Sequence, residues 1–463
     1  MAITSALLTK ILYEFMALSA LLLLGTFLRA KVKVFQNLFL PASVIGGFIG
    51  LLLGPVVLGK SAIIPFPADW IKDFAVYPGI LIIPIIAAAP LGIVLPNKRE
   101  FAGSVGPHFI IATAIIFFQF AAGSFIGGFF IATDPKIYPT LGLELFGGFW
   151  GGHATAGLLG GTLKDLGLPY WQLSQGVCVT TATVGLISGI VIGTALINWA
   201  ARKKYTKVLT KPSDIPEPIK KGYFVDVQKQ PSVGRTTILS ESIDVLAFHL
   251  ALILSVTGLA YLILFFLKRK HILILQDLSV WLWALLLMFG VWALICKLKI
   301  DWTIDRKIVN RVSSLLMEYA VTAAIVSIPV RTVLEYIVPI IFLSIVAIII
   351  TTVICVYPMG ARFLPDPWLE RGIATFGQST GVFMTGMLLL RIADPDFRTE
   401  ALTSYSLSFA LSSLFAWPFF ALAPKIILSW GPFSFAGLSL VIALFVLVIA
   451  YIIGWTYPSP SKR

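Results

Sequence analysis

Apolar runs of about 20 residues, separated by short polar stretches, recur along the whole chain. As helix, a run of that length rises roughly 30 Å, enough to cross a bilayer's hydrocarbon core. The runs predict spanning helices over 11–29, 40–58, 74–95, 107–131 and 174–200, and again over 245–267, 272–296, 312–330, 335–357 and 400–424. A further run, 433–456, predicts an added helix. Pro78, Pro84 and Pro90 break the backbone ladder of the third segment, which is expected to be kinked or discontinuous and to line a site.

Two stretches depart from this pattern. Gly147 to Gly161 holds seven glycines in fifteen residues, and Gly372 to Gly386, about 225 residues on, contains Gly377-Gln378-Ser379-Thr380-Gly381. Hydrocarbon cannot satisfy free N–H and C=O groups, so irregular backbone at membrane depth survives only inside protein or along a wet cavity. Glycine lets backbone turn sharply and approach a ligand. The competing explanation is close helix packing, since Gly147/Gly151 and Gly148/Gly152 fit a small-xxx-small spacing. For Gly46, Gly50 and Gly54, and for Gly185, Gly189 and Gly193, packing is the favoured reading.

Composition agrees: 58% of residues are hydrophobic, 12% are charged and mean hydropathy is +0.93, which defines an integral membrane protein. The net charge of +13 does not signal nucleic acid, because the basic residues sit between apolar runs. The densest group is the segment Ala201–Ser242, with Arg202, Lys203, Lys204, Lys207, Lys211, Lys220, Lys221, Lys229 and Arg235 among Pro212, Pro216, Pro218 and Pro231. It is expected to be a solvated linker touching anionic lipid. If both glycine stretches enter and leave on one side, the 35 Lys and Arg divide 25 to 10 across the membrane; if both span, they divide 14 to 21. The positive-inside bias favours the re-entrant arrangement, with the N-terminus outside and the linker and C-terminus in the cytoplasm. Five crossings per half then place the second unit upside down relative to the first.

The predicted fold is therefore an all-α polytopic membrane protein with two inverted five-helix repeats, each with a re-entrant hairpin, plus one extra C-terminal helix. The divisions are 1–200 with a hairpin near 144–163, a cytoplasmic linker at 201–242, 243–427 with a hairpin near 369–391, and 428–463. Arg29, Lys31 and Lys33 follow the first apolar segment, the wrong polarity for a cleaved signal, so it is expected to persist as a helix. Cys178, Cys296 and Cys355 are scattered through apolar segments and suggest neither a disulfide framework nor a zinc site.

Overlaying the halves aligns His153 and Thr155 with Gln378 and Thr380. Exposed N–H groups there suit a carboxylate, while carbonyl and hydroxyl oxygens suit a small cation. His153 capping its local backbone is the alternative. His108, His249 and His271 lie near segment ends and are assigned no role. Thr180, Thr181, Thr183 and Ser188 correspond to Ser404, Ser406, Ser408, Ser412 and Ser413, with packing and function both open. Charges within or beside apolar segments are Glu14, Glu144, Glu318, Arg331, Glu335 and Arg391. A central one costs roughly 2.5–3.5 kcal/mol on insertion scales, so it needs a partner or a task. Glu318 and Arg391 stand out, the latter as a reach toward an anion, with snorkelling as the alternative for both. No His-Glu-x-x-His spacing and no paired carboxylates point to an enzyme, and the only acids near the His153 run are Glu144 and Asp165.

Gly151-Gly152-His153-Ala154-Thr155-Ala156, Pro231-Ser232-Val233-Gly234-Arg235 and Leu40-Pro41-Ala42-Ser43-Val44-Ile45-Gly46-Gly47, in that spacing, resemble the bacterial glutamate:sodium symporter family. The resemblance covers roughly 11–424. It implies a homodimeric, electrogenic carrier of the inner (plasma) membrane that imports L-glutamate with sodium, using no other cofactor and an elevator-like movement of a hairpin-bearing domain. By position, Gly151, Gly152, His153, Thr155, Gly377, Gln378, Ser379, Thr380 and Gly381 would bind substrate. Thr155, Thr183, Ser379 and Thr380 would bind sodium. The second hairpin departs from the family's glycine-rich, histidine-containing pattern, and the eleventh helix is additional. Carriage of another small carboxylate or amino acid, with sodium or protons, therefore stands as the alternative, and a channel as a more distant one. One charge crossing 100 mV is worth about 2.3 kcal/mol, so a monoanion must travel with at least two sodium ions for the potential to assist it.

Overall fold

The computed structural model describes residues 5–93, 98–207, 221–271, 275, 279–394 and 398–458. Among them the chain is all helix and turn, with no strand. The principal helices are α1 (Ser5–Lys31), α2 (Ala42–Leu53), α3 (Ala68–Ala88), α4 (Gly106–Thr133), α5 (Leu143–Phe149), α6 (Gly152–Asp165), α7 (Trp171–Arg202), α8 (Val245–Arg269), α9 (Val280–Lys297), α10 (Arg306–Val326), α11 (Ile337–Thr351), α12 (Trp368–Thr380), α13 (Phe383–Ala393), α14 (Ala401–Trp430) and α15 (Pro432–Ile453).

Among the described residues, ten helical stretches are long and apolar enough to cross a membrane. The expected segment 312–330 is the exception. Its helix, α10, has the length, 21 residues, but Arg306, Lys307, Arg311 and Glu318 deprive it of the apolarity; its first two-thirds buries one face, and Ala320 to Val326 are buried all round. Parts of other expectations, 94–95, 272–274, 276–278 and the linker positions Lys211, Pro212, Pro216, Pro218 and Lys220, lie outside the described residues, as does the Lys229 side chain.

Three expectations about breaks change. Of the two outcomes expected for α3, kinked or discontinuous, the second does not occur: the helix runs through Pro78 and Pro84 and ends at Ala88 before Pro90. The second segment breaks where none was foreseen: Gly54 is extended and a short helix, Pro55–Leu58, follows. The fourth begins at Lys98, nine residues early, because a π-helical turn, Phe101–Val105, carries the chain into Gly106-Pro107. A proline at the head of an α-helical stretch lacks only an N–H that has no helical partner there.

Two sets of helices pack mainly among themselves: α1, α2, α3, α8, α9 and α10 in one bundle, α4 to α7 and α11 to α15 in the other. The added helix α15 lies along α4, with Trp455 beyond its end against Phe101, ring centroids 6.1 Å apart. In the first bundle Gly46 lets α2 close on the Leu21 carbonyl of α1, and Gly50 makes room for Leu21 and Val326. α6 faces the first bundle across α3, where backbone meets backbone: a Cβ on Gly79 would sit 3.3 Å from the Gly161 Cα, and one on Gly157 would sit 2.7 Å from the Pro78 carbonyl carbon. Beside that seam α3, α6, α7, α8 and α9 enclose a cavity of about 370 Å³, lined by Gly79, Gly161, Lys164, Gln175, Tyr261 and Lys268 among others.

Candidate functional site

The two glycine-bearing stretches each form a pair of short helices. α5 and α6 hold 7 and 14 residues and turn at Trp150-Gly151; α12 and α13 hold 13 and 11 and turn at Gly381-Val382. At 1.5 Å per residue none reaches across roughly 30 Å of hydrocarbon. Every residue of α5 and α12 is buried, as broken backbone at membrane depth requires. Stacked rings hold α5: Phe146 lies 4.1 Å from Phe120 and 5.0 Å from Trp150, centroid to centroid.

The turns meet. Gly152 has φ +69°, a conformation side chains resist, and a Cβ there would run into the Val382 Cγ1 methyl and lie 3.1 Å from the Gly381 carbonyl oxygen. Gly152 opens α6 and Val382 is the N-cap of α13, so two helix N-termini lie side by side. Their unpaired N–H groups and positive dipole ends favour anions, whereas the C-terminal turn of α12, with Ser379 and Thr380, favours cations.

The residues singled out from sequence fall in three groups. His153 is buried, with Nε2 3.0 Å from Thr183 Oγ1; that hydroxyl already donates to the Val179 carbonyl, leaving Nε2–H to donate. Its partner is thus a side chain of α7. Gly377 packs on Gly386, and Thr380 donates to the Phe376 carbonyl while filling the notch left by Gly185 and Gly189 of α7. Thr155 is buried against Gly151, and among the described residues no hydrogen bond joins it to Ser379 or Thr380. Gln378 is buried with no partner for Nε2, and the Ser379 carbonyl accepts from Gln119 Nε2 at 2.7 Å.

The helix hydroxyls mostly bond back to their own helix, as Thr180, Ser188, Ser408, Ser412 and Ser413 do. Thr181 bonds back to the Cys178 carbonyl as well and also reaches the Glu144 carbonyl. Glu144 is buried at the head of α5 and accepts from Tyr138 Oη (2.8 Å), Ser174 Oγ (2.5 Å) and the Gly142 N–H (2.8 Å). Glu14 is buried too, taking the Tyr77 hydroxyl beside Lys10. Glu318, Arg331 and Glu335 are exposed on a single chain, and Arg391 is half-buried in the last turn of α13.

Two histidines set aside on sequence prove to be structural centres. Because α4 and its lead-in start early, His108 is fully buried, with Nδ1 3.1 Å from Ser404 Oγ and Nε2 2.6 Å from Thr375 Oγ1. Beside it Arg371 of α12 is 1% exposed and donates to Ser104 (2.7 Å) and Ser404, with Glu400 3.8 Å away. Glu370, equally buried, accepts the Lys207 N–H at 2.8 Å. The signal was an adjacent acid and base inside the second glycine hairpin. His249 accepts the Asp305 N–H on Nε2 and donates from Nδ1 to the Val245 carbonyl. His271 lies in an exposed turn.

Pro231-Ser232-Val233-Gly234-Arg235 has a specific seat. Gly234 lies against Ile308, and Arg235 Nε donates to Asp305 Oδ2 at 3.0 Å at the head of α10. Burial pushes the Asp305 carboxyl up, but Arg235 and the N–H groups of Ile308, Lys307 and Arg235 outweigh it and hold it below the usual carboxylate range. At least this end of the linker is docked on protein.

Among the described residues, ten membrane-length apolar helices define a multi-pass membrane protein, and two further helix pairs are broken by turns. Residues 8–363 match the family model described as sodium/glutamate symporter, and the chain belongs to that family. The family is one of transporters, not enzymes, and its description names sodium as the coupling ion and glutamate as the substrate. The match ends at Phe363, before the second hairpin, α14 and α15. Among curated proteins, none matches the chain.

Proposed function

We propose that this protein imports L-glutamate across the bacterial plasma membrane together with sodium, by alternating access in which the second bundle slides on the first. The observation that carries the substrate reading is the meeting of two helix N-termini at Gly152 and Val382. Anion-favouring ends of that kind fit a substrate with two carboxylates, and Gly151, Gly152, His153, Thr155 and Gly377 to Gly381 are the residues assigned to it. Thr155, Thr183, Ser379 and Thr380 are assigned to sodium.

The sliding reading rests on the division into two bundles and on the glycine seam of Gly79, Gly157 and Gly161, which has little side-chain relief to resist movement. Inverted repeats and re-entrant hairpins are supported by which ends are tied together. Glu144 ties the start of α5 to the start of α7 through Ser174, and Arg371 ties the start of α12 to Glu400 just before α14. Each hairpin thus returns to the side it left. Lys207 with Asp366, and Arg235 with Asp305, link the two ends of the basic linker to one face, which the charge bias makes cytoplasmic.

A homodimer is supported by α10. Lys307, Asn310, Arg311, Ser314 and Glu318 are exposed on a single chain as one stripe, and lipid would leave most of them unsatisfied. A second reading, another small carboxylate as cargo, is favoured by Gly377-Gln378-Ser379-Thr380-Gly381 lying beyond the family match.

The test is uptake of labelled glutamate into proteoliposomes under an imposed sodium gradient, with Thr155→Ala and Thr380→Ala as comparisons. Sodium-driven accumulation lost in both folded variants supports the site and the substrate together. Accumulation of a different anion instead of glutamate selects the second reading. If nothing accumulates against its gradient, the carrier assignment for this chain fails.

A further inference from the structure

Resting on the sodium-coupled reading, we propose that Gln119, Thr351 and Ser379 form a sodium-ion site inside the second bundle, at the base of the second hairpin's tip. The three come from three elements: Gln119 from the middle of α4, Thr351 from the last residue of α11, and Ser379 from the last turn of α12. All three are fully buried. Gln119 Nε2 donates to the Ser379 carbonyl at 2.7 Å and to Thr351 Oγ1 at 3.3 Å. On its far side the same amide leaves Oε1 buried with no partner, and Ser379 Oγ likewise has none, lying only beside the Cys355 thiol, a weak hydrogen-bonding group.

Buried polar atoms are nearly always satisfied, so two orphans on two adjoining residues call for an explanation. An amide's N and O are nearly the same size, and a half-turn of Gln119 exchanges them. Oε1 then faces the Ser379 carbonyl and the Thr351 hydroxyl, a cation held among those oxygens replaces the N–H that now bridges them, and the NH2 turns to the far side that Oε1 leaves. The Ser379 hydroxyl is a fourth oxygen on the same residue.

Neutral oxygens alone, without a carboxylate, suit a small monovalent ion better than calcium or magnesium, whose protein sites recruit carboxylates. Two features of the backbone add to this. Ser379 lies in the C-terminal turn of a 13-residue helix, the negative end of its dipole. Thr351 stands where α11 gives way to a π-helical turn, Thr352–Val356, a local irregularity common at functional sites. An ion here pins α4 and α11 to the residue two places before Gly381, which touches Gly152. Filling the site therefore favours the closed meeting of the two tips, and this links ion to substrate.

The experiment measures thermal unfolding of the purified full-length protein against sodium concentration, with choline as the replacing cation, alongside sodium-dependent uptake. Wild type is expected to be stabilised by sodium. Thr351→Val and Gln119→Leu should each raise the half-saturating sodium concentration at least tenfold in both assays, while Thr351→Ser stays near wild type. Should the first two fail to fold, Gln119→Glu decides: a carboxylate at an ion site lowers the half-saturating concentration at least threefold, and an unchanged value overturns the site. A sodium response that survives intact in Thr351→Val and Gln119→Leu overturns the site while leaving sodium coupling in place. No response of wild type to sodium, in unfolding or in uptake, removes the sodium reading and the site with it.

Discussion

Substituting Gly152 with alanine isolates the contact between the two hairpin tips. Gly152 has φ +69°, and its added Cβ would collide with Val382 Cγ1 and press within 3.1 Å of the Gly381 carbonyl oxygen. The left-handed backbone alone costs a non-glycine residue about 1–2 kcal/mol. Overpacking a closed contact adds about 1–3 kcal/mol, and Val382, β-branched, has few rotamers in which to retreat. Gly167 supplies the control, because it has φ +73° with nothing within 4 Å of its would-be Cβ. Gly167→Ala should therefore show the backbone cost only, and any unfolded-state entropy gain is common to both and cancels. The expected difference in unfolding free energy is about 1–3 kcal/mol, with Gly152→Ala the weaker protein and slower in uptake. Val382→Ala should return part of it, since the colliding methyl is gone while the Gly381 carbonyl remains. The assays are fluorescence-monitored unfolding in detergent and uptake in proteoliposomes. Equal losses in Gly152→Ala and Gly167→Ala, or no coupling between positions 152 and 382 in a double-mutant cycle, would refute the tip contact.

Other outcomes follow from the same geometry. Glu144→Ala strands the Tyr138 and Ser174 hydroxyls and the Gly142 N–H in a buried site, and should lower stability by about 3 kcal/mol or more, whereas Glu144→Gln should cost less; unfolding measurements compare the two. Gly157→Ala forces the α3–α6 seam apart at Pro78, so uptake should fall several-fold while substrate binding by the detergent-solubilised protein changes little; parallel losses in both would count against sliding. The Asp305 carboxyl is held low when folded, so it contributes stability that is present above its unfolded value of about 3.9 and is lost as pH falls through the folded value. Asp305→Asn should accordingly flatten the acid limb of a melting-temperature profile below about pH 4, with a limb as steep as wild type's telling against this role. Arg371→Met leaves Glu400, Ser104 and Ser404 without their shared cation donor and should destabilise the protein more than Arg371→Lys, which thermal unfolding reads directly.

The period and length of the apolar runs determined the membrane class and, among the described residues, the number of membrane-length helices to within one, because hydrocarbon imposes length and polarity on each segment separately. The glycine clusters marked broken helices for the same local reason: a run rich in glycine makes poor continuous helix wherever it folds. What sequence left open depends on partners distant in the chain. His108 looked like a segment-end residue until a π-helical lead-in moved it inside, and its bonds run to Thr375 and Ser404, more than 260 positions away. Arg371 and Glu370 are not among the charges that the apolar segments single out, and the packing of α12 against α4, α14 and the linker is what buries them. Gln119 is one polar residue in a long apolar helix; that it stands over the last turn of α12 is decided by how α4 crosses the second hairpin. The pairing of Gly152 with Val382 is of the same kind, since no periodicity within either half records which turn of the other half it will meet.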